Sequence, residues 1–437
     1  MPSDWQSHQL KEIAEVFDGP HATPSKTRSG PIFLGISNLA GGRLDLSDTE
    51  HLSERDFGRW TRRVTPQLGD VVFSYETRLG EAALIPDGLR CCLGRRMGLL
   101  RARPGKVDSR FLLYAYLGPE FQHTLQSRTV PGSTVDRIPL VAMPEFPMRI
   151  PTSLVEQRAI ANILGSLDDK IELSRRTNET LEAMARAIFK SWFVDFVPIH
   201  AKAESRQPFG MDAETAALFP DSFEDSPLGK IPKGWKAGRI GDRARAIQYG
   251  LTRSASTEAV GPRFLRITDI RGGHVNWSLV PYCSVSPEEH EKYRILPGDI
   301  LVARTGASTG ENIYVVEPPD SVFASYLIRL QFSDSAMARV AGQFMRTGAY
   351  FDYVAGAIGG SAQPNASAQV LSSAPFVFPP PSVAERFART VAPFDKLCAE
   401  NSRQAQALVA IRDALLPKLI SGEIRVAELT SMLEPTS

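Results

Sequence analysis

The stretch "GPIFLGISNLAGGRLD", residues 30–45, decides the architecture, because residues 261–276 read "GPRFLRITDIRGGHVN". Seven of the sixteen letters are identical without a gap, at an offset of 261 − 30 = 231 residues. This period is about half of the 437-residue chain, which is far longer than the unit of a solenoid protein. The repeat therefore indicates that a whole domain occurs twice.

The similarity continues along both halves. "LGDVVFS" (68–74) matches "PGDILVA" (297–303), and each predicts a Gly-Asp turn followed by a buried strand. A glycine-containing loop and a further strand come next, in "TRLGEAALI" (77–85) and "TGASTGENIYV" (305–315). "PGSTVDRI" (131–138) then matches "GGSAQPNAS" (359–367). The strands agree between the halves, whereas the loop letters differ.

Each half ends in a long helical pattern. Apolar residues recur from Ile160 to Trp192 in alternating steps of four and three, and the same register returns 227 residues later, from Phe387 to Leu419. Such a heptad pattern predicts two long helices that pack on each other as an antiparallel coiled coil. The predicted seam residues are Ile160, Leu164, Leu167, Ile171, Asn178, Leu181, Ile188, Phe387, Val391, Phe394, Asn401, Leu408, Leu415 and Leu419. Arg412 interrupts this seam, and Ile411 is the alternative at that position.

These features predict a mixed α+β fold with a pseudo-twofold arrangement, in which two similar α/β domains are joined by the two helices. The predicted segments are a first globular domain (1–152), a first long helix (153–196), a linker (197–234), a second globular domain (235–380) and a second long helix with a C-terminal tail (381–426). A short helix is predicted within the linker, in "DAETAALF".

Composition narrows the class of protein. The net charge is +1, no apolar run is long enough to span a membrane, and the N-terminus has no secretion signal pattern. Four cysteines without metal-ligand spacing suit a reducing compartment, so we expect a cytoplasmic protein without a metal site. Nucleotide-binding and amino-methyltransferase motifs are missing, and we expect no catalytic residue in this chain.

Two similar modules on a fixed spacer suit a ligand with two similar sites, which duplex DNA offers because its grooves repeat every ~34 Å. Arginine, lysine, asparagine, glutamine and hydroxyl side chains on loops are the groups that grip phosphates and read base edges. The candidate DNA-binding residues in the first half are Lys26, Arg28, Tyr75, Thr77, Arg78, Ser133, Thr134 and Arg137. Those in the second half are Tyr249, Thr252, Arg253, Arg304, Thr305, Ser308, Ser361, Gln363 and Asn365.

The repeat, "LPGDILVARTGASTG", "IPTSLVEQRAIANILGSLDDKIEL", "FKSWFVDF" and "ALLPKLISGEIRV" together resemble the specificity subunit of type I restriction-modification systems. The resemblance covers nearly the whole chain. It departs at the start of the second helix, where "SVAERFARTVAPFDK" carries Arg386 in place of the glutamine at 157.

The resemblance implies a non-catalytic subunit for phage defence and DNA methylation. Its two target recognition domains would each read half of a bipartite target, and the helices would set the gap. It further implies two modification (methyltransferase) subunits and restriction (motor-nuclease) subunits as partners. S-adenosylmethionine, ATP and Mg would bind those partners and not this chain. Two alternatives remain: a duplicated protein-binding adaptor, and a DNA reader of another phage-defence methylation system.

Overall fold

The computed structural model describes residues 4–132, 135–359 and 365–426. Contacts divide the chain into two compact units. The first contains the described residues up to Glu172 together with those from Ala407 onward, and the second spans Leu173–Gln406. Both units mix helices and strands around their own hydrophobic core, in agreement with the predicted α+β class.

The repeated stretch folds in the same way in both units. In the first, the strand Lys26–Leu34 leads through the short 3₁₀ helix Ile36–Asn38 into a tight hairpin. In the second, the strand Arg263–Leu265 leads through Ile267–Asp269 into a hairpin of the same kind. Each strand pairs in parallel with a later strand of its own unit.

We call these hairpins the Gly-Gly hairpins: the first is residues 39–44 and the second is residues 270–275. The two turn glycines have positive φ, 56° and 89° in the first hairpin and 57° and 80° in the second. Two successive positive φ values are what a two-residue hairpin turn needs, and glycine adopts them without strain. The repeated glycine pair is thus explained by the turn.

Each unit contains a four-stranded antiparallel sheet with the same strand order. In the first unit the strands are, in spatial order, Ala14–Asp18, Met97–Ala102, Val71–Ser74 and Ala82–Leu84. In the second they are Ala244–Tyr249, Leu327–Phe332, Ile300–Ala303 and Asn312–Tyr314. The third strand of each sheet follows the repeated Gly-Asp turn and is fully buried, as its run of apolar residues predicts.

The aspartates of the Gly-Asp turns have a structural role that the sequence pattern did not indicate. Asp70 accepts a hydrogen bond from the backbone N–H of Gln67 at 2.8 Å, and Asp299 does the same for Leu296 at 3.0 Å. Each carboxylate also pairs with an arginine of the adjacent strand. The Asp70–Arg101 distance is 2.7 Å and the Asp299–Arg329 distance is 3.4 Å.

An antiparallel strand pair joins the start and end of each globular domain. Trp5–Gln9 pairs with Pro147–Pro151 in the first unit, and Lys236–Arg239 pairs with Pro375–Phe378 in the second. In both cases the long helix begins only a few residues after the closing strand. This pairing ties the first strand of each domain to the beginning of a long helix.

The remaining elements are short. Further strands of the first unit are Leu39–Ala40, Arg43–Leu44, Glu50–Leu52 and Cys91–Leu93, and its shorter helices are Leu10–Ile13, Glu54–Trp60, Ser109–Leu117, Pro119–Arg128 and the 3₁₀ turn Met143–Glu145. Further strands of the second unit are Phe223–Ser226, Gly229–Pro232, Ile270–Arg271, His274–Val275 and Ser321–Phe323. Its shorter helices are Val197–Ala203, Ala213–Ala217, Pro287–Tyr293, Ser335–Phe344, Gly348–Ile358 and Ala368–Ser372, with 3₁₀ turns at Ile240–Arg243 and Trp277–Leu279.

The two long helices span Leu154–Phe193 and Pro381–Ser421, and we call them the first and second long helix. Every predicted seam residue is buried or partly buried. In the second unit Asn178 contacts Cys398 and Asn401 while Phe189 packs on Phe387 with ring centroids 6.0 Å apart, so the two helices run antiparallel.

At the interrupted position, Arg412 itself occupies the seam, where it pairs with Asp168 at 2.9 Å. The alternative, Ile411, is 48 % exposed. An ion pair thus replaces the apolar contact expected there. Pro393 lies inside the second long helix, which begins at Pro381.

The segment predicted as a linker is folded. Besides the expected short helix at Ala213–Ala217, it contains the helix Val197–Ala203 and the hairpin Phe223–Pro232. Ile199 and Phe219 are 0 % and 2 % exposed because they pack into the core of the second unit. Because the segment is rich in Pro and Gly, these few buried apolar side chains were not recognised from the sequence.

Candidate nucleic-acid interface

The candidate residues lie mainly on two kinds of loop. The strand-end loops are residues 75–80 and 304–310, which follow the buried third strands. The return loops are residues 130–138 and 359–367, of which Ser133, Thr134, Ser361 and Gln363 lie outside the described residues. The structure brings one loop of each kind together in each unit.

The junction between the loops is the same in the two units. In the first, Glu76 forms a β-bridge with Arg137, and the N–H of Ile138 donates to the carbonyl of Tyr75 at 2.9 Å. In the second, Thr305 forms a bridge with Asn365, and the N–H of Ala366 donates to the carbonyl of Arg304 at 2.8 Å. One backbone frame therefore presents different side chains in the two units.

In the second unit this junction gathers three predicted residues. Arg304 donates from Nη2 to Oδ1 of Asn365 at 3.0 Å, and its guanidinium lies 5.2 Å from the ring centroid of Tyr249. The Tyr249 hydroxyl accepts a hydrogen bond from the N–H of Ala368 at 3.0 Å, and the side chain is 44 % exposed. The planar guanidinium is thus held between an amide and an aromatic face.

In the first unit the loop is built around an exposed arginine and a strained backbone. Arg78 donates to Glu81 at 3.1 Å. Thr77 has φ 69°, and Arg96, which pairs with Glu76 at 2.7 Å, has φ 70°. Both are left-handed conformations that are uncommon for residues other than glycine, and such strain concentrates at binding and active sites.

Tyr75 does not lie where the sequence predicted it. It was expected to face DNA, but its side chain is only 5 % exposed and belongs to the core of the first unit. Burial and the nearby Asp18 carboxylate raise the pKa of the Tyr75 phenol above its usual value. The Tyr75 ring therefore packs in the core beneath the loop and is not accessible to a ligand.

The other predicted residues are found at the surface around these loops. Lys26 and Arg28 lie on the exposed beginning of the strand Lys26–Leu34, where Lys26 pairs with Glu50. Thr252 and Arg253 follow the strand Ala244–Tyr249, and Arg253 pairs with Glu289. Thr305 and Ser308 are partly buried within their strand-end loop.

The site residues named from the sequence left out a basic cleft in the first unit. Four residues of the run "RWTRR" (59–63), namely Arg59, Trp60, Arg62 and Arg63, line a cavity of about 350 Å³ together with His21. All three arginines are exposed, and Arg63 also donates to the carbonyl of Gly19 at 2.9 Å and to Asp18 at 3.2 Å. The sequence signal was present, since this run belongs to a stretch rich in arginine.

The described residues provide no group of three or more histidine, cysteine, aspartate or glutamate side chains that could hold a metal ion. Among the same residues, no helix is long and apolar enough to cross a membrane.

Comparison with known proteins shows what the chain is similar to. Residues 2–183 match the model of the type I restriction modification DNA specificity domain. The chain is 25% identical to the type I restriction enzyme MjaIX specificity subunit of Methanocaldococcus jannaschii, over 98% of this chain and 95% of that protein. Over nearly its whole length the chain is thus similar to type I specificity subunits. Such subunits are the non-catalytic members of their restriction-modification systems.

Two further matches extend over the full length of the subunit. The type I restriction enzyme HindI specificity subunit of Haemophilus influenzae is also 25% identical, over 97% of this chain and all of that protein. The crystal structure of the S subunit of a type I restriction-modification system from M. genitalium shares the fold, with a TM-score of 0.55 and 15% identity. It covers 95% of the subunit and 96% of that chain.

Proposed function

We propose that this specificity subunit recognises a bipartite, asymmetric DNA sequence, with each globular domain reading one half. The observation that carries the proposal is the loop junction that the two units share. At its bridged positions the first unit has Glu76 and Arg137, and the second has Thr305 and Asn365. To read two different half-sites, the same backbone geometry has to carry different side chains in the two units.

The chemistry of the second junction favours base reading. Arginine forms two hydrogen bonds with guanine, and asparagine does so with adenine, in the major groove. The Nε of Arg304 is buried and has no hydrogen-bond partner among the described residues. Because that Nε is buried, the groups offered to a base or a phosphate are the terminal N–H donors of the guanidinium, which Asn365 and Tyr249 hold in place.

Phosphate contacts would come from the arginine-rich cleft of the first unit and from partner proteins. Arg59 and Arg62 are exposed there, and exposed arginines are typical phosphate contacts. The subunit has a net charge of only +1. We therefore expect much of the non-specific, salt-dependent affinity to be supplied by the other subunits of the complex.

The long helices would set the gap between the half-sites and bind the partners. Outside the seam they carry exposed apolar side chains, among them Leu173 (65 %), Leu397 (44 %) and Ile411 (48 %). Two modification subunits, and through them restriction subunits, would cover such residues in a cytoplasmic complex. S-adenosylmethionine, ATP and Mg would then bind to those partners, and this chain would bind none of them.

The proposal is tested by co-expressing the subunit with its modification partner in a host without DNA methylation, followed by single-molecule sequencing for modified adenines. A motif of two short defined blocks around a fixed undefined gap is the expected result. If the complex assembles and no adenine is modified at a defined sequence, the proposal is wrong and the adaptor alternative takes its place.

A further inference from the structure

The repeated stretch contains one basic residue at the same place in both halves. Arg43 follows the glycine pair of the first Gly-Gly hairpin, and His274 follows that of the second, since 43 + 231 = 274. In each unit this residue reaches a carboxylate of the first long helix. The Arg43–Glu172 distance is 3.0 Å and the His274–Glu182 distance is 2.9 Å.

The two acceptors are not copies of each other. Adding the helix offset of 227 to Glu172 and Glu182 gives 172 + 227 = 399 and 182 + 227 = 409, and these positions hold Ala399 and Val409. The second long helix therefore has no carboxylate at either equivalent position. Both units make the contact between hairpin and helix. The two carboxylates, however, do not occupy equivalent positions of the repeat.

In the second unit polar contacts hold the hairpin against the helix. A cavity of about 540 Å³ lies beside them and is lined by Glu182, Gly273 and His274, so close apolar packing does not fill this space. Arg346 adds a hydrogen bond from Nη2 to the carbonyl of Gly272 at 3.2 Å and lies 3.6 Å from Glu182. Removal of the His274 contact would therefore loosen the hairpin.

We propose that the Gly-Gly hairpins position each recognition domain on the first long helix, with Arg43 and His274 as the positioning residues. The orientation of a domain relative to the helix decides where its loops meet DNA. The consequence for DNA reading rests on the proposed function, whereas the contacts themselves do not.

The two positions differ in chemistry. Arginine keeps its charge at all accessible pH values, whereas an imidazole is a cation only on the acidic side of neutrality. Burial raises the pKa of Glu182, but the hydrogen bond with His274 and the charges of Arg346 and Arg186 outweigh burial and lower that pKa overall. Glu182 thus stays ionised near neutrality.

Other charged and titratable groups surround the second contact, and most of them are already paired. Arg186 lies 3.5 Å from Glu182, Arg339 pairs with Asp395, and Arg403 pairs with Glu317. Cys398 also lines the cavity, and burial raises its pKa to about 11. His274 and Arg346 are therefore the groups that connect the second hairpin to Glu182.

The test is amide hydrogen exchange of the full-length chain and its variants at one pH. His274→Ala should accelerate exchange of residues 270–275 roughly two- to fivefold, as suits the loss of an exposed ion pair, and should leave residues 39–44 unchanged. Arg43→Ala should accelerate exchange of residues 39–44 and leave residues 270–275 unchanged. The matched control is His290→Ala, which alters a histidine paired with Asp320 at 2.7 Å outside the hairpins and should leave both hairpins unchanged.

An equal response of both hairpins to either variant, or no response of residues 270–275 to His274→Ala, would overturn the proposal. A second readout uses the complex with the modification partner. Glu182→Gln should spread modification to targets with neighbouring gap lengths, with both sequence blocks retained. If the unaltered complex modifies no defined motif, the proposed function fails and the exchange measurement still decides the role of the hairpins.

Discussion

At the scale of single residues, the repeated Gly-Asp turns depend on arginines of the adjacent strand. The side chains of Asp299 and Arg329 are 4% and 6% exposed, and Arg329 also donates to the carbonyl of Arg294 at 2.6 Å. In the first unit the arginine of the corresponding pair, Arg101, is 30% exposed. Burial makes the second pair the more sensitive to loss of one partner.

Arg329→Met should therefore lower the free energy of unfolding by about 3–5 kcal/mol, because it leaves the Asp299 carboxylate buried without its counter-charge. Arg101→Met should cost clearly less, since solvent reaches that pair. Denaturant unfolding of both variants measures the difference. Equal losses would show that the two turns are not distinguished by burial.

Arg304 is the residue for which the loop geometry predicts the clearest effect on specificity. Arg304→Ala should weaken binding to the complete target by about 1–3 kcal/mol and relax the sequence requirement in one block only. Binding of the complex to DNA targets that are altered in one block or in the other shows in which block the sequence requirement is relaxed. Arg239→Ala, an exposed arginine outside the loops, is the control. An equal loss of affinity for all sequences would assign Arg304 to a phosphate.

The sequence indicated which residue types the loops carry but not which of them face outward. Tyr75 and Tyr249 were expected to act alike, and one is in the core while the other is 44 % exposed. The difference arises from long-range packing around Asp18, which no local pattern reveals. The pairing of Arg304 with Asn365 was likewise out of reach, because 61 residues separate them.

At the scale of elements, the amides in the helix seam fix how the long helices meet. Nδ2 of Asn401 donates to Oδ1 of Asn178 at 2.8 Å, and Nδ2 of Asn178 donates to the carbonyl of Cys398 at 3.2 Å. A polar pair of this kind specifies register at some cost in stability. Heptad spacing predicted the two helices and their packing because the pattern extends over many turns, whereas spacing alone does not distinguish parallel from antiparallel pairing.

Asn401→Ala should destabilise the chain by about 1–3 kcal/mol, since it removes one bonding partner of a partly buried amide. Replacing Asn178 and Asn401 together by leucine should be neutral or stabilising in denaturant unfolding, with looser control of register. Comparison of the unfolding free energies of the single and the double variant separates the cost of an unpaired amide from the role of the amide pair in register. A double variant that loses as much stability as the single one would show that the amides contribute more than register.

The folded segment between the halves could not be predicted from its own sequence pattern. Its Pro- and Gly-rich composition predicted a linker, yet Ile199 and Phe219 are buried in the second unit. Two apolar side chains within a polar stretch give no periodicity, and only the completed core shows that they belong to it. Strongly periodic elements were predictable, whereas isolated anchors were not.

At the scale of the whole molecule, duplication accounts for the organisation of the chain. The first unit is completed by residues from Ala407 onward, so the chain must return to it after the second domain has been made. Each unit has its own sheet, its own core and its own loop junction. Because each unit has its own sheet, core and loop junction, we expect the sequence preference of each domain to be exchangeable without affecting the other.

Exchange of residues 1–150 for the corresponding domain of another specificity subunit should therefore change one block of the modified motif and leave the other block unaltered. The reason is that the second unit keeps its strand-end and return loops and their contacts. Single-molecule sequencing of DNA modified by the chimeric complex checks this, and exchange of residues 235–380 is the reciprocal experiment. A change in both blocks after either exchange would mean that the two domains do not read DNA independently.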